Sequence, residues 1–176
     1  MSPAPPAGVH ENWTLPDGSA ATLRPIRAAD MELERAFVRN LSRQSKFTRF
    51  MAEVRELSPD QLYGFTHPDP EREAAYVVIR STVGGEEQIG VARFAGEPGS
   101  DACEFAVTIA DAWQGKGLGK RLMNALMRDA KARGLKRIEG YVLATNTRML
   151  DFCRGLGFAV EPSRDDATVR VVRRDL

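Results

Sequence analysis

Trp113-Gln114-Gly115-Lys116-Gly117-Leu118-Gly119-Lys120-Arg121 places three alternating glycines between an apolar run that reads as a strand and an amphipathic stretch that reads as a helix. Glycine has no Cβ, so three of them at a helix start let backbone amides close around something. The first turn of a helix carries N–H groups without intrahelical partners and the positive end of the dipole, which suits a phosphate. Acids are the usual residues there, yet this helix opens with Lys116, Lys120 and Arg121 and has no acid before Asp129. An anionic ligand resolves that conflict, and a pyrophosphate is the natural guest. Two nucleotide fingerprints fail on spacing: a P-loop needs glycine where Gln114 stands, and a GxGxxG turn needs it where Lys120 or Leu122 stands. A glycine-rich turn with a solvated basic face fits the same spacing without any ligand.

Outward from this stretch, Leu118, Leu122, Ala125 and Leu126 make one apolar helical stripe, and Gly134 ends it in the C′ position. Residues 137–143 read as a strand, so strand, helix and strand form a βαβ unit. Upstream, residues 75–79, 89–94 and 102–109 are β-rich runs split by Gly84-Gly85 and Gly96-Glu97-Pro98-Gly99, an antiparallel meander. Trp13-Thr14-Leu15, the turn Pro16-Asp17-Gly18-Ser19 and residues 21–26 predict a hairpin, with Pro25 at a sheet edge or a strand end. Asp30 is a candidate N-cap for a helix whose Leu33, Phe37 and Leu41 recur every four residues. A short helix is expected around residues 46–51, and Ser58-Pro59-Asp60-Gln61 matches a capping box that starts another. Downstream, residues 146–154 suit a helix ended by Gly155-Leu156-Gly157, and residues 167–173 a closing strand. The fold class expected is α/β with a mixed sheet: mostly antiparallel, one parallel βαβ unit, and flanking helices.

Composition agrees with one domain of 176 residues. With 43% hydrophobic and 28% charged residues the chain can build a core. Residues 1–11, with Pro3, Pro5 and Pro6, are expected to be a flexible N-terminal tail, and residues 12–176 the domain. Lys and Arg number 25 against 24 acids, a net charge of +1, which points to neither nucleic acid nor an anionic membrane as partner. The apolar runs fall far short of the ~20 residues of a membrane span, and the start has no apolar signal-peptide core. A reduced, cytoplasmic protein is expected. Cys103 and Cys153 stand far apart without a CxxC pair, and His10 and His67 are the other soft ligands, so no metal is expected.

Gln114-Gly115-Lys116-Gly117-Leu118-Gly119 resembles the Q/R-x-x-G-x-G/A signature of the GNAT superfamily of N-acetyltransferases. Asn146 to Phe158, an asparagine followed by a helix and a terminal Gly157-Phe158, resembles a later motif of that family. Within it, Thr22-Leu23-Arg24-Pro25-Ile26-Arg27, Leu41-Ser42, residues 102–107 and Asn146-x-x-Met149-Leu150 are most similar to the GNAT domain of Pat-type bacterial protein lysine acetyltransferases. The resemblance implies a GNAT-like fold and transfer of an acetyl group from acetyl-CoA, the cosubstrate, to a primary amine acceptor, with a protein lysine as the Pat likeness suggests. It assigns Gln114, Gly115, Lys116, Gly117, Gly119 and Lys120 to the pyrophosphate, the backbone of Val107 and Ile109 to the pantetheine arm and thioester carbonyl, and Asn146 to the pantetheine. Homodimers are frequent in the superfamily. Where many members carry a tyrosine acting as general acid, this chain has Cys153, which leaves that role unassigned.

A lysine amine with pKa near 10.4 is neutral in about one molecule in 2,500 at pH 7, a gap of about 4.6 kcal/mol, so a positioned base or a desolvating site is required. Glu104 is the candidate catalytic residue. In the strand of residues 102–109, Cys103, Phe105, Val107 and Ile109 share one face, and Ala102, Glu104, Ala106 and Thr108 the other. The small neighbours leave room beside the carboxylate, and its position resembles that of the Pat-type catalytic glutamate. Glu139 is a second carboxylate, sharing a face with Arg137 as an ion pair would, and Tyr141 lies on the same face. Cys153, in an apolar context without a nearby histidine, reads as packing rather than as an acyl-carrying nucleophile, so direct transfer is expected. Alternative readings are acetylation of a small amine, an amino acid or polyamine, and a non-catalytic acyl-CoA-binding regulator.

Overall fold

The computed structural model describes residues 8–176, so the front of the expected tail, residues 1–7, lies outside the described residues. Eight strands form one sheet: β1 Glu11–Thr14, β2 Ala20–Pro25, β3 Glu73–Thr82, β4 Gly85–Gly96, β5 Ala102–Ile109, β6 Arg137–Leu143, β7 Ala159–Pro162 and β8 Val169–Asp175. Their spatial order is β1-β2-β3-β4-β5-β6-β8-β7. Every neighbouring pair is antiparallel except β5 and β6, which run parallel. A parallel pair cannot be closed by a hairpin, and α4, Leu118–Ala132, supplies the crossover.

Helices cover both faces. On one, α4 and α5, Thr147–Gly155, bury Leu122, Leu126, Leu150 and Cys153 with Phe94, Phe105 and Ile138 of the sheet. On the other lie α1, Met31–Asn40, α2, Arg43–Phe50, and α3, Pro59–Thr66, where Phe37, Val38, Leu41 and Leu62 meet Val77, Ile79 and Val91. That double cover explains why residues 74–79 of β3 read as an unbroken apolar run rather than an alternating one. Opposite this run, Val78 faces Gly90 and Ile79 faces Gln88, so Ile89 is a bulged extra residue.

Local signals place most elements. Pro25 stands at the last position of β2, an interior strand, and the next amide, Ile26 N–H, donates to Ala75 O. Ser58 and Gln61 form the capping box of α3, and Gly134 ends α4 at φ 83°. Strands β3 and β4 run longer than expected and β8 starts and ends two residues later, and four further points differ. Asp30 occupies the N-cap position of α1 without capping it: its carboxylate accepts from the Arg27 amide at 2.7 Å and from both terminal nitrogens of Arg24 at 2.7 and 2.8 Å. Buried Arg24 requires that partner, and a buried cation outbids an amide at the surface. Helix α2 begins at Arg43, because Ser42 caps it by accepting from Ser45 N–H. Strand β7, Ala159-Val160-Glu161-Pro162, has one large apolar side chain, Val160, and so no alternation to read; it pairs only with β8, at the sheet edge. The expected tail boundary at residue 11 shifts toward the N-terminus, since Glu11 already pairs with Leu23 and the Val9 amide donates to the Tyr76 hydroxyl.

Gly140 of β6 lies under the ring of Phe105, and a Cβ there would come within 2.7 Å of a ring carbon. Phe105 is held in turn against Phe158, with ring centroids 5.2 Å apart. Gly140→Ala is therefore expected to destabilise the fold by about 1–3 kcal/mol through overpacking. In urea the midpoint falls at unchanged slope; an unshifted midpoint would mean that the ring yields freely.

Candidate active site

Strand β5 pairs with β6 only at Ala102↔Arg137, Cys103↔Ile138 and Glu104↔Glu139, although both strands run on. On its other edge β5 stays paired to β4 as far as Ile109↔Gly90. Beyond Glu104 the two parallel strands therefore part, and one edge of β5 is left without a strand partner. Ala110 N–H donates to Ile89 O at 2.9 Å, so the amides of residues 106 and 108 also face β4. That of Phe105 belongs to the last paired rung with β6, and those of Val107 and Ile109 then face the opening. A row of unpaired donors in a splayed sheet is unusual, since edge amides are otherwise paired or covered.

At the end of β5 the chain makes a 3-10 turn, Asp111–Trp113, and enters the glycine stretch. Gly115 and Gly117 have φ of 74° and 83°, left-handed values that other residues adopt at a cost. Gly117 is the N-cap of α4 and offers no side chain to its first amides. Gly119 serves differently: a Cβ would meet the Phe152 ring at 3.1 Å, so it allows α4 and α5 to approach. Lys116 and Lys120 are exposed beside this helix start and have no carboxylate partner among the described residues. Arg121 is committed elsewhere, to Glu11 at 3.3 Å and to the face of Trp13 at 4.4 Å.

Gln114 does not point outward. Its Nε2 donates to Ile109 O at 3.1 Å and its Oε1 accepts from Arg148 at 3.0 Å, tying the loop to β5 and α5. Asn146 caps α5, its Oδ1 accepting from Met149 N–H at 3.2 Å, which leaves Nδ2 as its free donor. Asp111 accepts from the Ser42 amide and from the hydroxyls of Ser42 and Ser45, fastening the start of α2 to the same loop. Neither Arg148 nor the Ser42, Ser45 and Asp111 cluster was signalled by the sequence, because partners 34 and 69 residues away leave no local pattern.

Glu104 sits on the last rung before the strands part, opposite Glu139. Although its side chain is accessible, burial of the carboxyl among its neighbours is the largest influence and pushes its pKa up. The charge of Glu139 pushes the same way, and Arg49 of α2 pulls it down. Glu139 forms its ion pair with Arg173 of β8 at 3.1 Å rather than with Arg137, and Arg173 also holds Glu161 of β7 at 3.0 Å. Tyr141, two residues on, is exposed. Cys153 is fully buried, its thiol pushed up to about 11 by desolvation, and burial pushes Cys103 up to about 12; such thiols are poor nucleophiles. His67 ends α3 and stacks on Tyr63, with centroids 3.8 Å apart. Among the described residues no His, Cys, Asp and Glu side chains group as a metal site, and no helix is long and apolar enough to cross a membrane.

Residues 36–158 match the model of the acetyltransferase (GNAT) family. A curated acetyltransferase of Pseudomonas aeruginosa is 35% identical over 167 residues, covering 95% of this chain and 89% of that one. Among solved structures, the GNAT domain of Streptomyces lividans PAT superposes with a TM-score of 0.84 at 28% identity, covering 95% of this chain and 97% of that domain. A cAMP-binding acyltransferase from Mycobacterium smegmatis gives 0.62 at 25% identity, with 95% of this chain matching 47% of that one.

The carboxyl of Glu104 should titrate above its ordinary 4.5, as followed by carbon NMR. Glu139→Gln removes an influence that raises it, so the midpoint moves down; Arg49→Gln removes one that lowers it, so the midpoint moves up. Two unmoved midpoints would show that neither side chain faces the carboxyl.

Proposed function

This chain belongs to the GNAT acetyltransferase family, and from that premise we propose that it transfers the acetyl group of acetyl-CoA directly to a lysine side chain of a protein, with Glu104 as the base. The observation that carries this reading is the place of Glu104, a carboxylate on the final rung of the β5–β6 pairing, where an unpaired row of β5 amides begins. The likeness to the S. lividans PAT domain supports the protein acceptor.

The residues present suit acetyl-CoA. The left-handed Gly115 and Gly117, the uncapped start of α4, and the unpaired cations Lys116 and Lys120 make a seat for a pyrophosphate, and Gly119 lets α5 close against it. Gln114 holds that turn in shape through its bonds to Ile109 O and Arg148. The amides of Val107 and Ile109 take the pantetheine arm and the thioester carbonyl, and Asn146 offers Nδ2 to the same arm. When bound, acetyl-CoA supplies the electrophilic acetyl thioester.

In this reading Glu104 accepts a proton from the lysine ammonium, directly or through one water, and frees the nitrogen lone pair for attack. Its raised pKa narrows the gap to the amine, which makes it a stronger base than an ordinary carboxylate. The Val107 amide, fixed in a strand and aimed at the opening, stabilises negative charge as it builds on the carbonyl oxygen; as that charge returns, the carbon–sulfur bond breaks, the amide is left on the lysine, and CoA departs as a thiolate that takes its proton from solvent. No enzyme-bound acyl group is needed, consistent with the burial of Cys153. Two buried free thiols suit a reducing compartment such as the cytoplasm.

Release of free CoA from acetyl-CoA, measured over a panel of lysine-bearing proteins and small amines, tests the reading. Glu104→Gln should lower turnover about 100-fold or more while acetyl-CoA still binds. Retained turnover in that variant would remove Glu104 from the chemistry. Cys153→Ala should keep turnover within a few-fold, and its loss with the fold intact would instead point to a covalent acyl-enzyme. Because the base form is lost as pH falls through the raised Glu104 midpoint, the acid limb of kcat/KM should move to lower pH in Glu139→Gln.

A further inference from the structure

Ser42, Ser45 and Arg49 lie at i, i+3 and i+7, on one face of the helix that packs against β5. Ser42 and Ser45 are fastened to Asp111 at the start of the glycine loop. The next turn along that face is Arg49, whose charge is felt by Glu104. Its guanidinium is half-buried over the rings of Phe50 and Phe65, at 4.9 and 5.9 Å from their centroids.

Arg49 is unlike the other enclosed arginines. Arg24 pairs with Asp30, Arg35 with Glu32, Arg80 with Asp17 and Glu87, Arg93 with Glu34, and Arg133 with Asp129. Arg170 and Arg174 donate to backbone carbonyls. Among the described residues Arg49 alone of the half-buried guanidiniums has neither a carboxylate nor a carbonyl to donate to. A cation taken partly out of water without an acceptor is unfavourable. Its conflict is of the same kind as the acid-free start of α4, and an anion from outside resolves both. Burial and the neighbouring charge of Arg93 together hold the guanidinium down to about 10, so it remains charged at neutral pH.

Around Arg49 the sequence carries an excess of cations, although Glu53 pairs with Arg43 and Glu32 with Arg35. Residues 35–55 hold six cations (Arg35, Arg39, Arg43, Lys46, Arg49 and Arg55) against one carboxylate, Glu53, in a chain whose totals are 25 and 24. Beside α2 an open groove of about 790 Å³ is lined by Arg43, Lys46, Arg55 and the exposed ring of Phe47, with Glu53 as its one carboxylate. An excess of cations disfavours a polyamine, all cation, and complements an acidic chain segment.

We propose that Arg49 is an acceptor-binding residue, which receives the carboxylate of an Asp or Glu side chain next to the target lysine in an exposed acidic segment of the substrate protein. This rests on the protein-lysine reading above and gives it a sequence preference. The lysine faces Glu104, the flanking acid meets Arg49 on its aromatic platform, and the rest of the segment crosses the cations of α2. The shared chemistry, a carboxylate near an amine, is also present in a free amino acid, but the breadth of the basic surface favours a chain.

Steady-state kinetics with acetyl-CoA and three peptides, a central lysine flanked by Glu, by Ser or by Arg, test this, with free lysine and spermidine as further arms. The Glu-flanked peptide should exceed the Ser-flanked one in kcat/KM by about tenfold, mainly through KM, as one charged hydrogen bond provides. That ratio should collapse toward one in Arg49→Gln and be partly kept in Arg49→Lys. A ratio taken within each variant cancels any change in Glu104 itself. Equal rates for all three peptides, or a preference that survives Arg49→Gln, would make Arg49 only a packing cation against Phe50 and Phe65. Faster, Arg49-dependent turnover of free lysine would assign the subsite to an amino-acid carboxylate and overturn the protein segment. Turnover of small amines with no peptide accepted would instead overturn the protein-lysine reading, and this proposal with it.

Discussion

The parting of β5 from β6 after three paired residues is the constraint on which the site depends. Parallel strands held in register to their ends would hydrogen-bond the amides of Val107 and Ile109 to β6 and leave no opening. Instead Glu104 and Glu139 face each other on the last rung, two carboxylates whose mutual repulsion works against continuing the pair. β6 finishes its pairing on the other side, with β8 as far as Leu143↔Val169, so it keeps one paired edge as it diverges. The same rung that ends the sheet interaction places the proposed base.

Around that opening the protein leaves charge and donors unbalanced in three places, each held by a rigid frame. The start of α4 has cations where acids are usual, the edge of β5 has amides without acceptors, and α2 presents a guanidinium without a partner. Elsewhere most buried polar groups are paired, Gln88 Oε1 and Thr108 Oγ1 being exceptions: Tyr76 donates to Asp129 at 2.7 Å, Asp129 in turn holds Arg133, and Arg93 holds Glu34. The contrast gives the exceptions their meaning, because a fold that satisfies most of its interior has little structural need for unmet groups clustered at one site. Asp111 joins two of them, since its carboxylate fixes α2 to the loop that starts α4.

Much of this was legible along the chain. The glycine alternation, the apolar stripe of α4, the Ser58 capping box and the bounds of β5 and β6 are local patterns, and the structure places them where those patterns put them. Asp30 misleads because a cap signal describes what an isolated helix wants, and the buried Arg24 wanted the same carboxylate more. Strand β7 escaped because four residues at an edge have no buried face to encode.

The sequence by itself determined the family, the mixed sheet with its crossover helix, the glycine-rich seat and a carboxylate on a strand face with small neighbours, since periodicity, turn chemistry and motif spacing are properties of contiguous residues. Only the tertiary structure decided that Glu104 stands opposite Glu139 where the strands part, that Gln114 is tied to Ile109 and Arg148 rather than turned outward, and that Arg49 lies without a hydrogen-bond acceptor near Glu104. Those relations join residues tens of positions apart through sheet register and helix docking. Their strength comes from distance and burial in space, quantities that a linear order of residues does not contain.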